Sequence, residues 1–355
     1  MCDVSVVIPV YNIDERALRQ CVNSIIEQKG VNFEIFIIDD GSKEKCAQLC
    51  DSLRNKNHQI EVIHQSNQGV SVARNEGIQR AKGKWIAFVD GDDWIEPDML
   101  SAMVECGNRN KADIVLCDCY INYSKKQIKT YFFDEKELSL ANCSKERFIL
   151  QFMCSRIYND GNGVADSGAP WAKLYRSSFI RERKLCFHKE LRRMQDNIFN
   201  LYAYEYAKSI VYIHKPLYHY RKSINSGFFR YNPDIAAIYD LVFKEISNYI
   251  FLFNKDSLFN DALNYKVFYS IYVILNIDIL NKNNPNPIWC KRRKILAIID
   301  SPYYAEAIKG MKIRYLNNME KKFFFLVKHK LFFGMYMAVK IKKVVYAFMG
   351  KGIQR

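Results

Sequence analysis

Three carboxylates, Asp90, Asp92 and Asp93, fall within four positions of the stretch FVDGDDWIEPDML, with only Gly91 between them. Like charges so close repel unless something cationic sits among them, yet the chain as a whole has a formal net charge of +15. An Asp-x-Asp at the end of an apolar run suits a hard divalent cation. Mg²⁺ and Mn²⁺ prefer oxygen ligands, and Mg²⁺ takes one or two carboxylates plus substrate phosphates rather than a full protein cage. For Asp90-x-Asp92 alone, a solvated acidic turn that leads into a helix at Pro97-Asp98 remains open. A second acidic pair, Asp39-Asp40, ends the run FEIFIIDD.

Both clusters sit where a strand is expected to finish. VSVVIPV is a continuous β-branched run, as for a strand buried on both faces. FEIFIID, IEVIH, WIAFVD and DIVLCD read as further strands. Between them, Ala17, Leu18, Cys21, Val22, Ile25 and Ile26 recur at helical spacing, and residues 43–56, 71–81 and a segment from Pro97 read as helices. Alternation of this kind predicts an α/β fold with a mostly parallel central sheet covered by helices. Ligands of such sheets bind beyond the carboxyl ends of the strands, where both acidic clusters fall. Residues 122–220 are less regular and include the Gly-rich NDGNGVADSGAP. From Pro233 the helical period dominates, which predicts an α/β domain over 1–230 and a helical region over 231–355.

Hydrophobic residues at 49% and charged residues at 26% are ordinary for a globular chain. No stretch reaches the roughly 18 apolar residues of a membrane span. Met1-Cys2-Asp3 runs straight into a strand, so no signal peptide is expected. The 11 cysteines contain no C-x-x-C pair and predict free thiols in a reducing compartment. Charge is uneven: residues 301–355 hold 12 Lys/Arg against 2 Glu, a balance of +10 out of +15.

The segments VSVVIPVYN, IIDDGS, NQGVSVARNEGIQRAKGKWIAFVDGDDWIEPDML, WAKLYR and MQDNIFNLYAY resemble, in order and spacing, those of family 2 glycosyltransferases of the bacterial surface-polysaccharide type. The resemblance covers roughly residues 3–225. It implies a nucleotide-diphospho-sugar (GT-A-like) fold, a divalent metal and inversion at the donor's anomeric carbon. Carried onto this chain, Pro9, Val10 and Tyr11 would frame the nucleotide base, and Asp40 would meet the uracil edge, so UDP is the favoured nucleotide. Arg74 would neutralise diphosphate or contact the base loop. Asp90 would lie near ribose and metal, Asp92 would ligate the Mn²⁺ or Mg²⁺, and Gly91 counts with the donor-binding residues. Asp39 is expected to stabilise its own turn.

The same resemblance makes Asp196 the base that takes the acceptor hydroxyl proton. The family's Glu-Asp pair reads Gln195-Asp196 here, a departure that removes a charge beside the base and should, if anything, lower its pKa. Trp171 and Lys173 would wall the acceptor side, against the alternative of a buried anchor. His219, Arg221 and Ser226 are candidates for a loop over the diphosphate, with a satisfied structural histidine the plainer reading of His219.

In the tail, Met337, Ile341, Val344, Val345 and Phe348 form one helical apolar stripe, with Lys340, Lys343 and Lys351 on the other side. That pattern predicts an interfacial membrane helix, against the alternative of a helix packed on the protein. The function expected is transfer of a hexose or N-acetylhexosamine from a UDP-sugar to a lipid-linked glycan, at the cytoplasmic face of the membrane. A nucleotidyltransferase is the enzymatic alternative, although PVYNIDERAL lacks glycine. A nucleic-acid-binding protein is suggested only by charge, and no nucleic-acid partner is expected.

Overall fold

The computed structural model describes residues 2–133, 137–140, 143–157, 168–222 and 230–348. It divides into two compact units, Met1–Phe152 with Asp160–Ile224, and Met153–Asn159 with Asn225–Arg355.

In the first unit β1 (Val4–Val10), β2 (Phe33–Asp39), β3 (Ile60–His64) and β4 (Trp85–Phe88) alternate with α1 (Glu15–Ile26), α2 (Glu44–Arg54) and α3 (Val70–Arg80). The apolar runs are buried on both faces because helices cover the sheet, and Val4, Val6, Val7 and Ile8 have no exposed surface. Asp14 caps α1 by accepting from the backbone N–H groups of Arg16 and Ala17, and the helix buries Leu18, Cys21, Val22 and Ile25. Gly77 lets α3 lie directly on β1: an added Cβ would come within 2.3 Å of Val7 Cγ1. The register pairs Val10 with Asp39, Asp39 with His64 and Val7 with Phe88, all parallel. The carboxyl ends of these strands therefore share one edge.

Then follow β5 (Trp94–Ile95), α4 (Met99–Arg109), β6 (Ile114–Tyr123), β7 (Lys126–Thr130), β8 (Glu137–Leu140) and α5 (Cys143–Met153). The unit closes with β9 (Lys173–Arg176), α6 (Ser177–Glu182), α7 (Gln195–Tyr206) and β10 (Ile210–Arg221). Among the described residues these make one ten-stranded sheet of order β3-β2-β1-β4-β9-β6-β10-β5, with β7 on β6 and β8 on β10. The α/β architecture is the one read from sequence, but the parallel run is interrupted. The less regular middle segment supplies β9, which is antiparallel to both β4 and β6. Much of the Gly-rich stretch, residues 159–167, lies outside the described residues.

The second unit is helical: α8 (Ile235–Leu252), α9 (Ser257–Ile274) running into a π-turn at Leu275–Ile279, α10 (Ile288–Ile299), α11 (Pro302–Gly310), α12 (Asn318–Lys328) and α13 (Phe332–Phe348). Its core holds Phe243, Tyr249, Phe259, Phe268, Ile271 and Tyr304. Among the described residues no helix is long and apolar enough to cross a membrane.

Candidate active site

The shared strand edge gathers the first candidates. Backbone Asp40 N–H donates to Val10 O at 2.8 Å, and Val89 N–H to Val7 O at 3.1 Å, so the turns after β1, β2 and β4 are adjacent. Tyr11 is 54% exposed at this edge, whereas Val10 is buried and can offer a ligand only its backbone. Gly91 has an ordinary backbone, and a Cβ there would meet Ile13 and Pro9 O at 3.4 Å. Packing alone therefore does not require glycine at that point.

The three neighbouring carboxylates have different surroundings. Asp93 has no exposed surface. It accepts from the Tyr218 hydroxyl and from backbone Arg221 N–H, both at 2.7 Å. Burial, then Asp90 and Asp92, push its pKa well above the usual carboxylate range. Asp90 pairs through Oδ1 with Arg74 Nη2 at 2.9 Å. Asp92 is half-buried, and among the described residues no side chain donates to it; burial first, then Asp90, raise its pKa, with Arg221 opposing. Two of the three acids thus have protein partners. Among the described residues no group of three or more His, Cys, Asp or Glu side chains could hold a metal. Two carboxylates plus substrate phosphates are what Mg²⁺ ordinarily uses, so Asp90 and Asp92 fit that donor set.

Arg74 is 4% exposed. Its cation lies over the Phe187 ring at 5.2 Å, and Nε and Nη1 are buried with no acceptor among the described residues. In this arrangement it serves first as the counter-charge of Asp90. A direct grip on an exposed diphosphate, expected from its guanidinium, requires a ligand to reach a group that the fold has nearly covered.

Asp40 is also buried, and it braces a loop. Its carboxylate accepts from Gln65 Nε2 at 2.7 Å, Gln68 N–H at 2.9 Å and Gly69 N–H at 2.8 Å. A carboxylate has about four acceptor positions, so one remains for a ligand. Gly69 itself has φ 95° with nothing near its Cβ position; the backbone conformation, not space, calls for glycine there. Asp39 accepts from Ser42 N–H at 3.0 Å, the turn-stabilising role read from sequence, and from His64 Nδ1 at 2.7 Å.

Gln195 and Asp196 open α7. Met194 before them is left-handed, with φ 56° and no side-chain cap, a conformation that costs a non-glycine residue on the order of 1 kcal/mol. Asp196 Oδ1 accepts from Asn197 N–H at 2.9 Å. Gln195 Oε1 is buried and meets no donor among the described residues. One turn on, Phe199 stacks on Phe187 at 4.1 Å and packs edge-on against Phe88 at 6.3 Å. This aromatic cluster ties α7 to the end of β4, two residues before Asp90. Asn75, next to Arg74, locks the same Phe187 through both backbone groups, at 2.7 and 2.8 Å.

The Glycosyl transferase family 2 profile matches residues 5–176. Glycosyltransferase GlyG of Streptococcus pneumoniae is 30% identical over 249 residues, which are 67% of this chain and 77% of GlyG. The chain belongs to the family 2 glycosyltransferases. EpsH of Bacillus subtilis is 34% identical over 230 residues, 64% of this chain and 63% of EpsH, so the chain spans under two thirds of that relative. The fold is that of S. aureus TarS 1–349 solved with UDP-GlcNAc: TM-score 0.65, 18% identity, covering 99% of this chain and 93% of that one.

In this family 2 glycosyltransferase the remaining candidates divide. Trp171 is 6% exposed and stacks on Tyr218 at 4.7 Å and Tyr220 at 5.6 Å. Lys173 has no exposed surface and donates to Ala169 O at 2.6 Å. Burial makes both anchors of the segment before β9, not an open acceptor wall. His219 is held between Trp94 and Tyr120, 4.7 and 4.5 Å away, with Nε2 against Glu96 at 2.7 Å. Burial lowers its pKa against the raising effect of Glu96, as in a satisfied structural histidine. Arg221 donates from Nε to Asp92 O at 2.7 Å and lies over Trp94 at 4.7 Å, so it shapes the acidic turn. Ser226 lies outside the described residues. Sequence reasoning missed Tyr218, Phe187 and Asn75. Nothing local marks them, since each reaches its partner across 112 to 128 residues of chain.

Proposed function

We propose that this chain is an inverting, metal-dependent hexosyltransferase that uses a UDP-sugar. It would transfer a hexose or N-acetylhexosamine to a lipid-linked glycan during surface-polysaccharide assembly, peripheral on the cytoplasmic face of the membrane. The carrying observation is Asp92: a half-buried carboxylate beside Asp90, disfavoured as an anion by burial, and with no side chain among the described residues donating to it. Asp92 with Asp90 would hold a divalent cation, which would supply the missing positive charge. TarS, whose fold this chain shares, is solved with UDP-GlcNAc, which supports a UDP-sugar donor.

When bound, the metal would act as a Lewis acid on the leaving diphosphate. The chain's own residues do the rest. Arg74 keeps Asp90 in place, and Arg221 keeps the Asp92 turn in place. Tyr11, Asp40 and the backbone at Pro9 and Val10 border the nucleotide base. Asp196 accepts the proton of the acceptor hydroxyl as its oxygen bonds to the anomeric carbon, and the sugar–diphosphate bond breaks on the opposite face. Gln195 Oε1 offers the acceptor a further hydrogen bond. Nucleic-acid binding explains neither Asp92 nor the family motifs, and nucleotide transfer, which would also use a metal-holding carboxylate, leaves the family motifs unexplained.

A panel of nucleotide sugars tests this, because slow donor hydrolysis needs no acceptor. Hydrolysis of a UDP-sugar that rises with Mn²⁺ and disappears with chelator is expected. Equal turnover with chelator present, or preference for a GDP- or CMP-sugar, would overturn the donor and metal assignments.

A further inference from the structure

The α12–α13 hairpin leaves large apolar side chains exposed. At the turn between its helices Lys330 is left-handed, with φ 54°. Gly334 fits against Leu326, where a Cβ would come within 2.6 Å of Leu326 Cδ2. α13 buries one stripe, Phe332, Met335 and Val339, at 2% exposure or less. A second apolar stripe on the same helix, Phe333, Met337 and Ile341, faces solvent at 66, 53 and 56%. On α12, Phe325 and Met319 are likewise exposed, at 56 and 63%. A helix that is apolar on both faces is ordinarily covered on both.

Charge says what covers the outer face. Lys321, Lys322, Lys328 and Lys340 are all exposed. Glu320 is the only acid between residues 318 and 348. It is turned to internal work, closing a capping box with Asn317 and accepting from Tyr265 at 2.9 Å. A second copy of the chain would bring the same uncompensated lysines against one another, whereas an anionic lipid surface accepts both lysines and apolar side chains.

We propose that the outer face of the α12–α13 hairpin, with Phe333, Met337 and Ile341 at its centre and exposed lysines around them, docks the enzyme on an anionic bilayer surface. The proposal rests on reading the acceptor as lipid-linked and names the part of the chain that would meet the lipid. Phe332, Met335 and Val339 hold the hairpin to its own unit, so the outer stripe inserts without unfolding it.

Cosedimentation of the full chain with phosphatidylcholine vesicles, with and without phosphatidylglycerol, reads the effect. Binding is expected only with the anionic lipid, weakening as salt rises. Met337→Ser combined with Ile341→Ser should lose about ten-fold or more in vesicle affinity, with the melting temperature kept. Lys321→Gln combined with Lys322→Gln should lose roughly 25-fold, about five-fold for each lysine near the surface. Equal binding to neutral vesicles, or unchanged binding by both double variants, overturns the proposal. So does sedimentation equilibrium showing self-association that the Met337/Ile341 variant abolishes. Vesicle binding without use of a lipid-linked acceptor would keep the docking surface and remove the acceptor reading instead.

Discussion

Asp92 and Asp93 are sequence neighbours in the first unit, as Phe332 and Phe333 are in the second. Asp93 is wholly buried and satisfied by Tyr218 and Arg221, while Asp92 has no side-chain donor among the described residues. Phe332 is 2% exposed and Phe333 66%. In each pair one member obeys the ordinary rule, that buried polar groups are hydrogen-bonded and apolar surface is covered. The other member departs from it by one residue. The difference lies in which rule is broken: the acidic edge lacks a charge, and the hairpin lacks a cover. Both are places where stability alone does not account for the residue.

The largest effect expected tests the acidic edge. Asp92→Asn should cut transfer about 10³-fold or more, the several kcal/mol of charge stabilisation that a metal supplies, and abolish metal-stimulated donor binding. The same variant should melt no lower than wild type in metal-free buffer at neutral pH. Because the folded-state pKa of Asp92 is raised, its contribution to stability is full below the unfolded value near 4 and is lost as pH climbs through the raised one. Asparagine escapes that loss. A variant that unfolds, or one that keeps wild-type turnover with Mn²⁺, would place Asp92 with Asp93 on the structural side.

Asp196→Asn should lower transfer by about 10² to 10⁴-fold, the usual worth of a general base, with UDP-sugar affinity nearly unchanged by calorimetry. If donor affinity collapses while turnover at saturation holds, Asp196 belongs to the donor site.

Asp93→Ala sharpens the contrast from the other direction. It strands the buried Tyr218 hydroxyl and the Arg221 N–H, so a stability loss of about 2–3 kcal/mol is expected in urea titration. Within the hairpin, Met335→Ala should cost about 2–5 kcal/mol as a core truncation, while Met337→Ser should stay within about 0.5 kcal/mol as a surface change. Equal costs at these two positions would mean that the outer stripe is covered after all.

The smallest effect lies at His64. Its pKa is raised by the Asp39 hydrogen bond, against desolvation and with help from Asp51. The stabilisation is therefore full below the unfolded value near 6.5 and lost as pH rises through the higher folded one. With the side chain 41% exposed, the discounted change is about 0.5 kcal/mol. Thermal melts of His64→Gln should lose this pH dependence; an unchanged profile would show that the Asp39 contact does not discriminate between protonation states.

Much of the first unit was readable in the chain itself. Continuous β-branched runs separated by helix-period segments dictate buried parallel strands, and such strands set their acidic turns on one edge. VSVVIPV, FEIFIID and WIAF became β1, β2 and β4 because these signals are local. The helical character from Pro233 onward was equally local. What the tertiary structure decided was the environment of each candidate. Tyr218 is 125 residues from Asp93, and only the pairing of β10 with β5 and β6 brings it there to separate a structural acid from an unpartnered one. Burial of Trp171 and Lys173 follows from the insertion of β9 between β4 and β6, which no periodicity within residues 122–220 foretold. In the tail, the period of 3.6 marked a stripe at Met337 and Ile341. Which face of α13 would turn inward depended on what Leu326 and Gly334 allow to pack, because solvent and protein select between two apolar faces only after the helix has a neighbour.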